Sequence, residues 1–137
     1  MKTLVADDEL TSRTLLQEVL APYGEVQVCA DGAEAVRACQ NALIRGSHYD
    51  LICLDIMMPN MDGLEALEHI RAAEQRRRWN GVRPARVIIT TCKDDAEVVS
   101  EAFHEHCDAY FVKPIDPASL LERIKAFGLI PDAAPVS

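Results

Sequence analysis

Three aspartates in this chain stand at the ends of apolar runs, where helix capping does not account for them. Asp7 and Asp8 directly follow the apolar run Leu4-Val5-Ala6, and Asp55 directly follows Leu51-Ile52-Cys53-Leu54. Other aspartates have a structural reason. Asp31, Asp62 and Asp94 each precede a glutamate by three positions (Glu34, Glu65, Glu97), the spacing at which a cap satisfies orphan N–H groups and the later acid reaches back. Asp116 precedes Pro117, as an N-cap with proline at the first helical position does. Asp8 keeps a capping alternative for the helix after it, but Asp55 has none, because Ile56-Met57-Met58-Pro59 intervenes before a helix can begin. Brought together, three carboxylates repel, and at least one pKa rises. Mg2+ removes the conflict: it accepts one or two carboxylates, keeps some waters and recruits phosphate. Thr90-Thr91 adds hydroxyls, and Lys113 adds a compact ammonium suited to a phosphoryl oxygen. Pro114 after Lys113 admits a cis bond that would fix where the amine points.

Short apolar runs alternate with helical patterns along the whole chain. Strands are expected at 2–6, 25–30, 51–54, 86–90 and 109–112. Helices are expected at 10–21, from Asp31 to about Arg45, from near Asp62 through Arg76-Arg77-Arg78, at 94–106 and at 116–127. Five strands alternating with five helices predict an α/β fold, a doubly wound parallel sheet covered on both faces, with strand order 2-1-3-4-5 favoured. Ligands of such sheets bind beyond the carboxyl ends of the strands, where the order reverses. That crevice lies between strands one and three, which end at Asp7-Asp8 and Asp55.

The 137 residues suggest one domain, and 14 Lys plus Arg against 22 Asp plus Glu give a net charge of −8. An acidic chain opposes direct nucleic-acid binding, because phosphate contacts reward lysine and arginine. No apolar run approaches the roughly 20 residues of a membrane span, so no membrane insertion is expected. The start has too brief an apolar stretch for a signal peptide, and a cytoplasmic location is expected. The five cysteines form no C-x-x-C pair, which argues against a zinc site and for reduced thiols buried as small hydrophobes. Residues 1–129 are expected to form the domain and 130–137 a flexible tail.

Four segments in order resemble the receiver domain of two-component response regulators, over residues 2–127. Leu4-Val5-Ala6-Asp7-Asp8-Glu9 is similar to the family's acidic strand end, and Leu54-Asp55-Ile56-Met57-Met58-Pro59 with Met61-Asp62-Gly63-Leu64-Glu65 to its phosphoacceptor segment. Ile89-Thr90-Thr91-Cys92-Lys93 resembles its hydroxyl strand end, and Ala109-Tyr110-Phe111-Val112-Lys113-Pro114 its terminal Lys-Pro motif. The resemblance implies the flavodoxin-like receiver fold and makes Asp55 the phosphoacceptor. Asp7 and Asp8 become the pair that positions Mg2+, Met57 lends its backbone carbonyl to the metal, and Thr91 and Lys113 attend the phosphoryl group. Tyr110 matches the aromatic switch position. The implied partners are a sensor histidine kinase or histidine phosphotransfer protein and a downstream effector protein. The effector would be met on the face of the fourth expected helix, the fifth strand and the fifth helix.

Cys92 departs from the very small residue usual after the hydroxyl, and Met57 and Lys93 occupy positions that tune phosphoryl lifetime in the family. The stretch 71–86 is longer than usual and carries Arg76, Arg77, Arg78 and Arg83 with Trp79. An extended, solvated helix and loop is the simpler reading of it, and a docking patch for an acidic partner the sharper one. No output domain fits before Lys2 or after Phe127, so a single-domain receiver like the chemotaxis regulators is expected, signalling by protein contacts and not as an enzyme. A shuttle in a multistep phosphorelay is the alternative. A phosphatase of the haloacid-dehalogenase type would want an acid where Met57 stands, and a flavin carrier would be repelled by Asp7-Asp8-Glu9.

Overall fold

The computed structural model describes residues 1–77, 81, 83–92 and 106–131. Five parallel strands pair in the order 2-1-3-4-5 expected for a doubly wound sheet. They are β1 (Thr3–Ala6), β2 (Val26–Cys29), β3 (Leu51–Asp55), β4 (Arg86–Thr91) and β5 (Ala109–Val112). The described helices are α1 (Leu10–Leu20), α2 (Gly32–Ile44), α3 (Gly63–Gln75) and α4 (Pro117–Ala126). The helix expected at 94–106 lies outside the described residues but for its last position. Among the described residues no helix is long and apolar enough to cross a membrane.

Alternation along the strands divides the core in two. Leu4, Ala6, Ile52, Leu54, Val87 and Ile89 share one cluster with Ala35, Val36 and Cys39 of α2 and Ala66, Leu67 and Ile70 of α3. Val5, Leu51, Cys53 and Ile88 share the other with Leu16 and Leu20 of α1 and Leu120 and Ile124 of α4. Strand-length apolar runs are required because β1 and β3 are buried at every position. Only the edge strands β2 and β5 expose side chains along their length.

Three of the expected capping aspartates cap as expected, and Asp94 lies outside the described residues. Asp31 accepts from the Glu34 amide at 2.7 Å, while Glu34 reaches back to the Ala30 amide at 3.0 Å. Asp62 accepts from the Glu65 amide at 2.9 Å, and Asp116 from the Ser119 amide at 3.1 Å. Asp8 caps nothing: Glu9 holds the N-cap position of α1, without a side-chain cap bond.

Most boundaries shift by a residue or so from the sequence reading, and two of the differences have a visible cause. The Leu51 strand continues through Asp55, because Asp55 pairs with Thr90 in the ladder. The third helix stops at Gln75 and does not run through the arginines. Its last turn closes with the Arg77 amide donating to the Glu74 carbonyl at 3.0 Å. The chain is then held back on the sheet, since Glu74 accepts from the Ala85 amide at 2.7 Å and from Arg71 at 2.7 Å. Arg71 also binds the Ala85 and His106 carbonyls, and Asp108 accepts from the Val87 amide. These bonds join α3 to the starts of β4 and β5. Cys92 is exposed, against the expectation that all five thiols are buried.

Candidate functional site

Strand register brings the chemistry-bearing groups together. Ala6 pairs with Leu54, so the next residues, Asp7 and Asp55, are neighbours. By alternation both follow Val5 and Cys53 toward the α1 and α4 side of the sheet. On β5, Ala109 and Phe111 pack on that side, and Lys113 follows two positions later. Its ammonium lies 3.1 Å from Asp7 Oδ2 and 3.1 Å from Asp55 Oδ2. The Lys113–Pro114 peptide bond is cis.

Asp7 and Asp55 are buried and Asp8 is exposed, yet one oxygen from each lies within 4.8 Å of the others. Asp7 Oδ1 accepts from the Glu9 amide at 2.9 Å, whereas Asp7 Oδ2 is buried without a hydrogen bond and has only the ionic contact with Lys113. Asp55 Oδ1 accepts from the Met57 amide at 3.3 Å. Burial first, then the charge of Asp7, pushes the Asp55 carboxyl from 3.8 up to about 6, against the opposing pull of Lys113. Burial alone would lower the Lys113 ammonium, but Asp55 and Asp7 outweigh it and raise its pKa.

These residues fit Mg2+. Three carboxylates against one ammonium leave a formal charge of −3 + 1 = −2, which a divalent ion matches. A buried carboxylate oxygen without a hydrogen bond is a ready ligand atom. Oxygens bound to one Mg2+ lie about 3–4 Å apart at its usual bond length. The acidic oxygens, all within 4.8 Å of one another, are close enough for one ion to take them directly or through water.

The remaining expected residues do not all join this cluster. Thr91, fully buried at the end of β4, donates its hydroxyl to the Cys92 carbonyl at 3.2 Å. Its own carbonyl accepts from the Lys113 amide at 2.7 Å, tying the ends of β4 and β5 together. Met57 points its side chain into solvent, 59% exposed. Tyr110 is not part of the cluster: 42% exposed on the edge strand, it lines a surface cavity together with Arg123, and by register it points to the same side of the sheet as Thr91. Lys93 lies outside the described residues.

The structure adds supports that sequence reasoning missed. Arg13 donates to the Asp7 carbonyl at 2.9 Å, fixing the end of β1 from α1. Asn60, in the left-handed region at φ 66°, donates to Asp31 at 2.9 Å and holds the loop after Asp55 against the start of α2. Gly63 is forced by space, because a Cβ there would stand 2.4 Å from the Asp55 carbonyl oxygen. A glycine just after a cap residue was the one visible signal; Arg13 and Asn60 gave none. A cavity of about 370 Å³ adjoins the cluster, lined by Glu9, Ser12, Leu15, Cys92, Lys113 and Ile115.

The sequence matches the response regulator receiver domain family over residues 3–125. Sensory/regulatory protein RpfC of Xanthomonas campestris is 29% identical over 90% of this chain, and hybrid signal transduction histidine kinase L of Dictyostelium discoideum 34% over 93%. The chain spans 16% and 7% of those relatives' lengths. Among solved structures, the CheX–CheY–BeF3–Mg2+ complex from Borrelia burgdorferi matches with TM-score 0.73 at 27% identity, covering 93% of this chain and 89% of that one. The receiver domain of a Pseudomonas aeruginosa sensor histidine kinase, with magnesium coordinated in its active site cleft, matches with TM-score 0.73 at 26% identity, covering 91% and 94%.

Proposed function

Since the chain belongs to the response regulator receiver domain family, a signalling module of two-component systems, we propose that Asp55 accepts a phosphoryl group from a histidine. The donor is a sensor histidine kinase or a histidine phosphotransfer protein. One observation carries this reading: Asp7, Asp8 and Asp55 converge with Lys113 at adjoining strand ends, and one buried Asp7 oxygen has no hydrogen bond. Asp7, Asp8, Asp55 and the Met57 backbone carbonyl would hold Mg2+. When bound, that ion neutralises the phosphoryl oxygens and lets three carboxylates stay ionised together.

An Asp55 carboxylate oxygen attacks phosphorus, the new P–O bond forms as the P–N bond breaks, and the electron pair returns to the donor imidazole. Lys113, already 3.1 Å from Asp55, turns its ammonium to a phosphoryl oxygen. The Thr91 hydroxyl leaves the Cys92 carbonyl for another of these oxygens. Tyr110, now outward, turns toward the space that Thr91 vacates. A local change in charge thereby alters the face of the fourth expected helix, β5 and α4, where an effector protein binds in the cytoplasm.

The hybrid-kinase relative supports a second reading, in which this chain passes the phosphoryl group onward in a multistep phosphorelay. A haloacid-dehalogenase-type phosphatase is the weaker reading, because the position two beyond Asp55 holds a solvent-facing methionine, which cannot handle a proton. Incubation with acetyl phosphate and Mg2+, followed by intact mass, tests the proposal. One phosphoryl adduct is expected, absent from Asp55→Asn and from metal-free protein. A normal adduct on that variant would move the acceptor elsewhere.

A further inference from the structure

Near the amino ends of the strands, opposite the acidic cluster, the ends of α2 and α3 enclose a groove of about 190 Å³ lined by Gln40, Leu43, Ile44, Ala73, Arg76 and Arg77. Its floor is aliphatic. Ile44 is 64% exposed there, although isoleucine is among the residue types most often buried. The rim is basic where Arg76 and Arg77 line it. Neither forms an ion pair with a described residue. Glu74, the acid nearest in sequence to Arg76 and Arg77, is buried and committed to Arg71 and the Ala85 amide. Two cations without an ion pair among the described residues thus flank an exposed aliphatic side chain on a protein of net charge −8.

We infer that this groove docks an acidic segment of a partner protein that inserts an aliphatic side chain beside Ile44. Charge complementarity selects the occupant. A second copy related by a two-fold axis would set arginine against arginine. Two cations on an acidic protein are a poor footprint for nucleic acid. The inference is independent of the phosphoryl chemistry, which lies at the other end of the sheet.

The test uses a fluorescein-labelled synthetic amphipathic helix with leucines on one face and glutamates on its flanks, followed by anisotropy at low and high salt. A control peptide carries lysine for each glutamate. The glutamate peptide is expected to bind, more weakly as salt rises. Binding falls about tenfold or more in Arg76→Glu/Arg77→Glu, as attraction at the rim becomes repulsion. Ile44→Ser weakens it as well, and the lysine peptide does not bind. Phosphorylation of both variants by acetyl phosphate stays normal, which separates this inference from the proposed function. Failure of the glutamate peptide to bind, equal binding by the variants, or equal binding of the lysine peptide or a DNA duplex overturns it. So does wild-type self-association that the variants abolish.

Discussion

Replacing Asp55 by asparagine is expected to stabilise the metal-free protein at neutral pH. A carboxyl whose pKa rises from 3.8 to about 6 on folding binds its proton more tightly in the folded state. Ionising it therefore costs the fold. The cost is full above about 6 and disappears as the pH falls through 3.8. Its ceiling is about 3 kcal/mol, the free energy equivalent of that rise. Asparagine keeps the shape and an oxygen for the Met57 amide but gives up the attraction to Lys113, so a net gain of about 1–2 kcal/mol is expected. That is roughly 3–8 °C in Tm for a domain of this size. Thermal melts of wild type and Asp55→Asn in EDTA, at several values between pH 4 and pH 8, measure it. The gain should shrink toward the acid end, and also on adding Mg2+, which relieves the same repulsion in the wild type. A variant no more stable than wild type at pH 8 in EDTA, or a gain that grows on acidification, would refute the reasoning.

Lys113→Met leaves Asp7 and Asp55 without their cation and is expected to cost about 2–4 kcal/mol in EDTA. Urea titrations should show Mg2+ recovering part of that loss; an identical loss in both buffers contradicts the crowded-carboxylate picture. Gly63→Ala drives a methyl group to 2.4 Å from the Asp55 carbonyl oxygen, so it is expected to cost about 2–3 kcal/mol and slow phosphorylation, read by melts and by intact mass over time. Glu74→Ala strips Arg71 of one partner and the Ala85 amide of its acceptor, for a loss of about 2–3 kcal/mol. Asp55 should still be phosphorylated at an ordinary rate in that variant, because Glu74 sits at the far end of the sheet.

The fold was legible because its signals are local and strong. Apolar runs such as 51–54 have no place but the centre of a parallel sheet, and the three expected aspartate caps among the described residues bond to the amide three positions on. The acidic cluster was legible by position: once caps were set aside, Asp7, Asp8 and Asp55 stood out at the ends of apolar runs, and strand order brings them together. What escaped depends on long-range pairing. The end of α3 is set by Glu74 and Arg71 reaching residues 85, 106 and 108, which no window of helical periodicity contains. Arg13 likewise acts on a backbone carbonyl across a turn. Exposure was misjudged for Cys92, which follows directly on a buried strand end but itself meets solvent.

The most direct measurement is the position of the acyl phosphate. After acetyl phosphate and Mg2+, borohydride reduces an aspartyl phosphate to homoserine, and peptide mass mapping locates it. Homoserine is expected at residue 55 alone, and only when metal is present. Homoserine at Asp7, Asp8 or any other aspartate, or its formation at residue 55 without metal, would contradict the account.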